Sequence, residues 1–170
     1  MHKTPPVLYI FSGLPGVGKS TLASALAKHI GATYLQVDVI EQALKDIYQS
    51  AIYDEGYQLA FRMAADSLRR GLTVVGDSCN TVKKSRNAWQ QVAADTQFDF
   101  INIEVVCSDV EEHQSRIEGR LSTIANLQLP TWLDVMNREY QRWETDVVHI
   151  NTAHHSPSHS IAQLITLLNL

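Results

Sequence analysis

A glycine-rich octapeptide between an apolar run and an amphipathic stretch is the feature that most constrains how this chain folds. Residues Gly13–Ser20 read GLPGVGKS, which matches the pattern G-x-x-x-x-G-K-[ST] in full. The apolar run Val7–Phe11 before it is typical of a buried parallel strand. After it, apolar residues recur at the spacing of one helix face: Leu22, Ala23, Leu26, Ala27 and Ile30. A strand, a glycine loop and a helix in this order predict a phosphate-binding loop.

Each residue type in this loop has a chemical reason to be there. Glycines accept positive φ, so successive backbone N–H groups can close on phosphate oxygens at the positive end of the helix dipole. Lys19 supplies a mobile positive charge for the β- and γ-phosphates, and the Ser20 hydroxyl is a hard oxygen ligand suited to Mg²⁺. We therefore expect Mg-ATP, a Walker A loop, and contacts from Gly13, Pro15, Gly16, Val17, Gly18, Lys19, Ser20 and Thr21.

The composition is that of one globular domain over residues 1–170, with 45% apolar and 19% charged residues. The net charge of -4 argues against nucleic acid as the main partner, because duplex-binding proteins are usually basic. Cys79 and Cys107 form neither a disulfide framework nor a metal-ligand spacing. Met1–Pro6 is too short and polar for a signal peptide, and no apolar run reaches the roughly 18 residues of a membrane helix. We expect a cytoplasmic protein that makes no membrane contact.

Short apolar runs alternate with longer amphipathic stretches along the whole chain, which is typical of a parallel sheet covered by helices. Strands are predicted over residues 7–11, 33–37, 72–75, 98–106 and 147–150. Helices are predicted over about 18–29, 39–48, 55–70, 82–94, 109–121, 131–143 and 157–168. The fold class is therefore α/β, a three-layer α/β/α sandwich with its ligand beyond the carboxyl ends of the strands.

Two aspartates fall at predicted strand ends, where that ligand would lie. Asp38 ends the second strand, so it could accept the proton of an acceptor hydroxyl, or it could cap the following helix. Asp77 follows the third strand and could hold the Mg²⁺ shell through water, or it could form a turn. Asn80, Arg86 and Arg62 are further candidates for binding the acceptor. Arg62 lies in an aromatic cluster with Tyr48, Tyr53, Tyr57 and Phe61, most of which we expect to pack in the core.

Arg116 and Arg120 lie four residues apart on one predicted helix and share a face. Transfer of a γ-phosphoryl group needs cations on its equatorial oxygens, so this pair could close over the nucleotide from a lid region at about residues 116–130. The alternative is a solvated helix face on which Glu112 pairs with Arg116. The histidines 154, 155 and 159 show no metal-ligand pattern and are interpreted as surface loop.

The same residues carry a family resemblance that covers nearly the whole chain. Besides the phosphate loop, it rests on Asp38–Glu41 and on the following positions: Asp77, Asn80, Arg86, Trp89, Cys107, Asp109, His113, Arg116, Arg120 and Pro130 to Trp132. In these the chain resembles the small P-loop kinases, a group that includes polynucleotide-kinase-like enzymes, gluconate kinase, adenylylsulfate kinase and chloramphenicol phosphotransferase. It is most similar to the compact bacterial AAA-family ATPase or predicted-kinase type.

This resemblance implies a P-loop NTPase fold with strand order 2-3-1-4-5, ATP as donor and Mg²⁺ as cofactor. It also implies Asp38 as catalytic base, with Lys19, Arg116 and Arg120 acting on the phosphates. Polynucleotide-kinase-like members usually carry an arginine three residues after the base, where this chain has Glu41. That departure favours a neutral or cationic acceptor over a phosphorylated one.

Three functions remain open from sequence. The leading hypothesis is a kinase that moves the γ-phosphoryl of ATP to a small-molecule hydroxyl. The alternatives are a nucleotide-dependent switch with slow hydrolysis and a nucleic-acid 5′-end kinase; no N-K-x-D motif supports a GTPase. A loop near Asn151–Ala153 is the expected contact for adenine, and the chain is expected to be a monomer or a homodimer.

Overall fold

The computed structural model describes residues 5–170 and is built around a five-stranded parallel sheet. The strands are β1 (Val7–Ser12), β2 (Thr33–Gln36), β3 (Val74–Asp77), β4 (Asp99–Val106) and β5 (Val148–Asn151). Their order is β2-β3-β1-β4-β5, so the predicted strand order and parallel pairing are confirmed. Most of the segment Met1–Pro6 lies outside the described residues.

Helices cover both faces of this sheet. They are α1 (Lys19–Ile30), α2 (Val37–Tyr48), α3 (Glu55–Arg69), α4 (Lys83–Thr96), α5 (Val110–Glu118), α6 (Trp132–Met136) and α7 (Pro157–Leu167). Because successive strand residues point to opposite faces, β1 sends Tyr9 and Phe11 into one core and Leu8 and Ile10 into the other. The first core is shared with α1 and α7, and the second with α3 and α4. This is the three-layer sandwich expected from sequence.

Four predicted boundaries that bear on the site are wrong. β3 covers Val74–Asp77 instead of 72–75, so Asp77 is its last residue and does not follow it. β2 ends at Gln36, so Asp38 lies in the first turn of α2 and does not end the strand. α5 ends at Glu118, because Gly119 follows and the Arg120 amide turns back to the carbonyl of Ile117. α6 stops at Met136 and does not continue to Trp143. Its capping box is present as expected, with Thr131 and Asp134 each accepting a backbone N–H from the other.

Residues 137–147, which we call the strap, replace the missing part of α6. Two hydrogen bonds join the strap to the loop before α4 and to its first residue. The backbone N–H of Gln141 donates to the Thr81 carbonyl at 2.8 Å, and the side-chain Oε1 of Gln141 accepts from the backbone N–H of Lys83 at 2.6 Å. The Trp143 ring lies 4.2 Å from the Arg86 guanidinium carbon. These contacts join residues about 60 positions apart in sequence, so local periodicity carries no signal for them.

Strand register brings several loops to one edge of the sheet. Phe11 is paired with Asp77, and Ser12 with Glu104, so the loop after β1 begins beside the end of β3. Asn151, at the end of β5, is paired with Val106 of β4. The carboxyl ends of β1, β3, β4 and β5 therefore frame one site. Within residues 5–170 no helix is both long enough and apolar enough to span a bilayer.

Candidate functional site

A cleft with a volume of about 700 Å³ lies at this edge of the sheet. It is lined by the phosphate loop and the start of α1, and also by Asp38, Arg116 and Arg120. Further residues of its lining come from the turn after β3, the segment 127–130, the strap and the start of α7: Cys79, Leu127, Gln128, Leu129, Pro130, Arg138, Thr152, His155, Pro157 and Ser160. The structure thus brings together the loop, the candidate base and both candidate lid arginines.

The phosphate loop has the backbone that its glycines were expected to allow. Gly13, Gly16 and Gly18 have φ of 145°, 82° and 91°. A Cβ at Gly13 would overlap the Val105 carbonyl oxygen, and one at Gly16 would overlap the Ile117 side chain. Because these positions carry no side chain, the loop backbone can lie close to β4 and α5. This geometry fits phosphate binding.

Three contacts from distant elements hold the loop in place. The Gly13 amide donates to the Cys79 carbonyl at 2.9 Å. His113 Nε2 donates to the Pro15 carbonyl at 2.7 Å, and the Thr152 hydroxyl donates to the Val17 carbonyl at 2.8 Å. Both His113 and Thr152 are buried. Neither was a predicted site residue, although His113 belongs to the resemblance and Thr152 to the loop expected near adenine.

A buried ion pair lies directly behind the loop. Lys19 Nζ is 2.9 Å from Asp77 Oδ1, and the Tyr34 hydroxyl donates to Asp77 Oδ2 at 2.7 Å. Burial works against the charge of Lys19, but the Asp77 carboxylate holds the pKa of Lys19 above its ordinary value. Burial would likewise raise the pKa of Asp77, yet Lys19 and the hydrogen bonds it receives lower that pKa below its usual range. Both groups are therefore charged at neutral pH.

Asp38 faces the cleft from the first turn of α2. Its side chain is half-buried, and the N-cap of α2 is Gln36, which makes no capping hydrogen bond through its side chain. The capping role considered from sequence is therefore wrong, since the helix begins before Asp38. A carboxylate in the first turn still faces the positive end of the helix dipole. Its placement leaves its oxygens available to a ligand in the cleft.

The two arginines reach the cleft in different ways. Arg116 donates from Nη2 to Glu112 at 2.6 Å and to the Thr152 carbonyl at 2.9 Å, so the ion pair with Glu112 is present. Arg116 also lines the cleft, so the pairing with Glu112 does not remove it from the site, and its action on a γ-phosphoryl group stays a prediction. Arg120 lies just beyond the end of α5 and is half-buried.

The other candidate acceptor residues lie outside the cleft lining. Arg86 is 2% exposed; its Nε donates to the Asn80 carbonyl at 2.7 Å, and its guanidinium stacks on Trp143. Asn80 is also buried, and its Nδ2 donates to the Phe11 carbonyl at 2.7 Å. Arg62 is exposed on α3. The contacts of Arg86 and Asn80 are those of residues that position the site, and their binding of an acceptor stays a prediction.

The remaining sequence expectations are met in part. Tyr57 and Phe61 pack against the second core, whereas Tyr48 and Tyr53 are 67% and 82% exposed. His154, His155 and His159 are exposed, but His155 also lines the cleft. Cys79 and Cys107 are free thiols. No group of three or more metal-ligating side chains occurs within residues 5–170.

Solved structures share this architecture. APS kinase CysC from Mycobacterium tuberculosis, in complex with AMPPNP and APS, superposes with a TM-score of 0.69 at 18% identity, over 99% of this chain and 100% of that chain. A gluconokinase from Sinorhizobium meliloti 1021 gives 0.61 at 16% identity, over 98% of each chain. A sugar kinase from Janibacter gives 0.65 at 17% identity, over 97% of this chain and 96% of that chain. At these identities the likeness shows the fold, which is that of a P-loop kinase.

Curated relatives match with higher identity but over part of their length. The uncharacterized protein Rv2004c of Mycobacterium tuberculosis and the uncharacterized protein Mb2027c of Mycobacterium bovis are each 31% identical over 128 residues. The match covers 66% of this chain and 25% of each relative. The chain thus spans about a quarter of the length of the curated relatives it matches.

The family follows from a match over most of the chain. The family model AAA_33, an AAA domain, matches residues 8–146, from the first strand to the strap. That range includes the phosphate loop, Asp38, Asp77, Arg116 and Arg120, which agrees with the resemblance found from sequence. The chain belongs to the AAA_33 family of AAA domains.

Proposed function

We propose that this protein is a kinase that transfers the γ-phosphoryl group of Mg-ATP to a hydroxyl of a small molecule, with Asp38 as the base. One observation carries the proposal: Asp38 shares a single cleft with the phosphate loop, Arg116 and Arg120. A switch needs the loop alone, whereas phosphoryl transfer also needs a carboxylate for the acceptor and cations for the developing charge. The kinases of similar fold support the proposal.

The phosphate end of the cleft would bind and orient the donor. The loop N–H groups and Lys19 would hold the β- and γ-phosphates. Ser20 and Asp77, which adjoin one another, fit the oxygen ligands that Mg²⁺ prefers, Asp77 acting through water. The metal would supply neutralisation of charge on the phosphate oxygens. Thr152 and His155, which follow β5, would lie toward the nucleoside.

The transfer step forms one bond to phosphorus and breaks one. The acceptor oxygen forms a bond to the γ-phosphorus, the bond from that phosphorus to the β,γ-bridging oxygen breaks, and ADP leaves. The acceptor hydroxyl proton passes to Asp38. Arg116 and Arg120 would stabilise the charge on the equatorial oxygens. The segment around Asn126, whose side chain bonds Asp46 of α2 at 3.3 Å, would shield the site as a lid.

The experiment that tests this proposal measures ADP release from Mg-ATP with and without a pool of hydroxyl metabolites. We expect the pool to stimulate release by wild type, and we expect Asp38→Asn to abolish that stimulation while binding AMPPNP normally. Asp95→Asn, an exposed aspartate on α4, is the matched control. If release is slow and indifferent to the pool and to Asp38→Asn, the protein is a switch or binding module and the proposal is wrong.

A further inference from the structure

We infer that the acceptor carries an anionic group, a carboxylate or a phosphate, and that Arg138 binds it. This inference rests on the proposed phosphotransfer, because it assigns the substrate class of the same cleft. Arg138 was not a candidate site residue from sequence. Its position in the cleft depends on the strap, which the helical pattern of residues 131–143 did not reveal.

Arg138 lies in the cleft that also contains Asp38, the proposed base. It lines the cleft together with Cys79 and Asp38. Burial raises the pKa of the Cys79 thiol, and the charges of Asp38 and Arg138 both act on that thiol, with opposite signs. The charge of Lys19 acts on the thiol as well, and all four residues line one cleft. Thr152, His155 and Pro157, which follow β5, also line the cleft.

The backbone on both sides of Arg138 is anchored. Before it, Val135 is 1% exposed, and Trp132 packs edge-on against His113 at 5.1 Å between ring centroids. After it, the Tyr140 hydroxyl donates to the buried carboxylate of Glu104, and the Gln141 amide donates to Thr81. Arg138 is thus held at the cleft by buried contacts two and three residues away. Arg138 itself is exposed, so what the structure fixes is its backbone position at the cleft.

Two cations of the cleft lining, Arg120 and Arg138, form no ion pair within residues 5–170. Lys19 is paired with Asp77 and Arg116 with Glu112. Hydrogen bonds from the Thr131 hydroxyl and backbone N–H are the main reason that the pKa of Asp134 is lowered, and the charge of Arg138 adds to this without an ion pair. A cation in a cleft whose lining has Asp38 as its one acidic residue within the described chain is suited to an anion.

Glu41, the basis for expecting a neutral or cationic acceptor, does not line the cleft. Its side chain packs against Gly56 where α2 meets α3, so closely that a Cβ at Gly56 would overlap it. Burial is the main reason that the pKa of Glu41 is raised. The charge of Asp38 adds to that effect, so Glu41 is near Asp38 without lining the cleft. Arg138, in contrast, is a cation of the lining itself.

The test measures binding of matched acceptors to protein saturated with Mg-AMPPNP, by titration calorimetry. The first set is glycerol, glycerate and glycerol phosphate; the second is glucose, gluconate and glucose phosphate. We expect a carboxylate or phosphate member to bind about tenfold or more tightly than its neutral partner, since a hydrogen bond to a charged group contributes that much. Comparing glycerate with glycerol phosphate, and gluconate with glucose phosphate, identifies which anion is preferred.

Arg138→Gln should remove this preference while leaving AMPPNP binding unchanged. Arg142→Gln, an exposed arginine four residues further along the strap, is the matched control and should keep it. The inference is overturned if anionic and neutral members bind alike, or if the preference survives in Arg138→Gln. Binding needs no transfer, so these outcomes are separate from failure of the proposed kinase activity, which the Asp38→Asn assay detects.

Discussion

At the scale of single residues, the site depends on a charged pair that is almost fully withdrawn from water. Lys19 and Asp77 are 6% and 1% exposed, and each would be costly to bury alone. The pair persists because Lys19 donates to one carboxylate oxygen and Tyr34 to the other, which satisfies the hydrogen-bonding needs of Asp77. This arrangement prepares Lys19 in the charged state that a phosphate requires.

The free energy of unfolding should therefore depend on pH through Asp77. Its pKa is lowered in the folded protein, so the pair stabilises the fold above the unfolded value of about 3.9 and loses that contribution as pH falls through the lower folded value. The raised pKa of Lys19 affects the free energy of unfolding at alkaline pH. The stabilisation that Lys19 contributes is present below about pH 10.4 and is lost as pH rises through the pKa of the folded protein.

Urea unfolding between pH 7 and pH 2 measures how the free energy of unfolding falls at acidic pH. Asp77→Asn should lose less stability than wild type on acidification, because the residue no longer titrates. Tyr34→Phe, a milder change, should shift the acid limb toward higher pH by removing a hydrogen bond from the carboxylate. Asp99→Asn, at an exposed position, should follow the wild type. Parallel curves for wild type and Asp77→Asn would contradict the role of the pair.

At the scale of elements, the phosphate loop packs closely against its neighbours because glycine stands where a side chain would not fit. Gly13 has a positive φ and also lies against the Val105 carbonyl oxygen, whereas Gly31, the C-cap of α1, has a positive φ with open space around it. A Cβ at Gly31 would therefore cost only the strain of a left-handed backbone, whereas a Cβ at Gly13 would also collide with Val105.

Alanine at each position should give different results. Gly31→Ala should cost roughly 1–2 kcal/mol of unfolding free energy, the ordinary cost of a left-handed residue with a Cβ, and should leave AMPPNP binding intact. Gly13→Ala should cost more and weaken AMPPNP binding strongly, because the loop must move away from β4. Denaturant unfolding and calorimetric titration measure the two effects. Equal stability losses with unchanged binding would show that the Val105 contact is unimportant.

A single buried arginine of α4, Arg86, contacts both the turn after β3 and the strap. Arg86 donates to the carbonyls of Asn80 and Thr81 on the turn after β3, and it stacks on Tyr140 and Trp143 of the strap. One buried guanidinium thus joins the turn that follows Asp77 to the segment that carries Arg138. This contact explains why an arginine at position 86 belongs to the motif without reaching the cleft.

At the scale of the whole molecule, the cleft gathers residues from position 14 to position 160. Its walls come from the loops after β1, β3 and β5, from α1 and α5, and from the strap. A ligand in the cleft therefore contacts parts of the chain that pack into both hydrophobic cores. Binding should stabilise the domain as a unit.

The measurement for this expectation is denaturant unfolding with Mg-AMPPNP. At a ligand concentration of a hundred times Kd, the free energy of unfolding should rise by about 2.7 kcal/mol. Lys19→Ala should lose most of this rise at the same concentration, because it lacks the cation for the phosphates, whereas Lys28→Ala on the exposed face of α1 should retain it. A full rise in Lys19→Ala would show that the assignment of the loop is wrong.

Much of the fold could be predicted from sequence because its signals are local. The run Val7–Phe11 predicted β1, and the glycines and Lys19 predicted a loop whose observed φ values fit phosphate binding. Element boundaries were weaker. Asp38 was expected to end β2, yet α2 begins at Val37, because no local signal marks where the strand stops and the helix starts. The residue still reached the expected cleft, since both boundaries lie at the same edge of the sheet.

The amino-acid sequence by itself therefore determined the α/β class, the strand order through its family resemblance, and the chemistry of the phosphate loop. Tertiary structure alone decided which side chains share the cleft. His113 and Thr152 hold the loop from elements about 100 and 135 residues away, and Arg138 reaches the cleft because residues 137–147 pack on α4 instead of forming a helix. Such contacts depend on the packing of distant segments, and the periodicity of a segment reports only its own conformation.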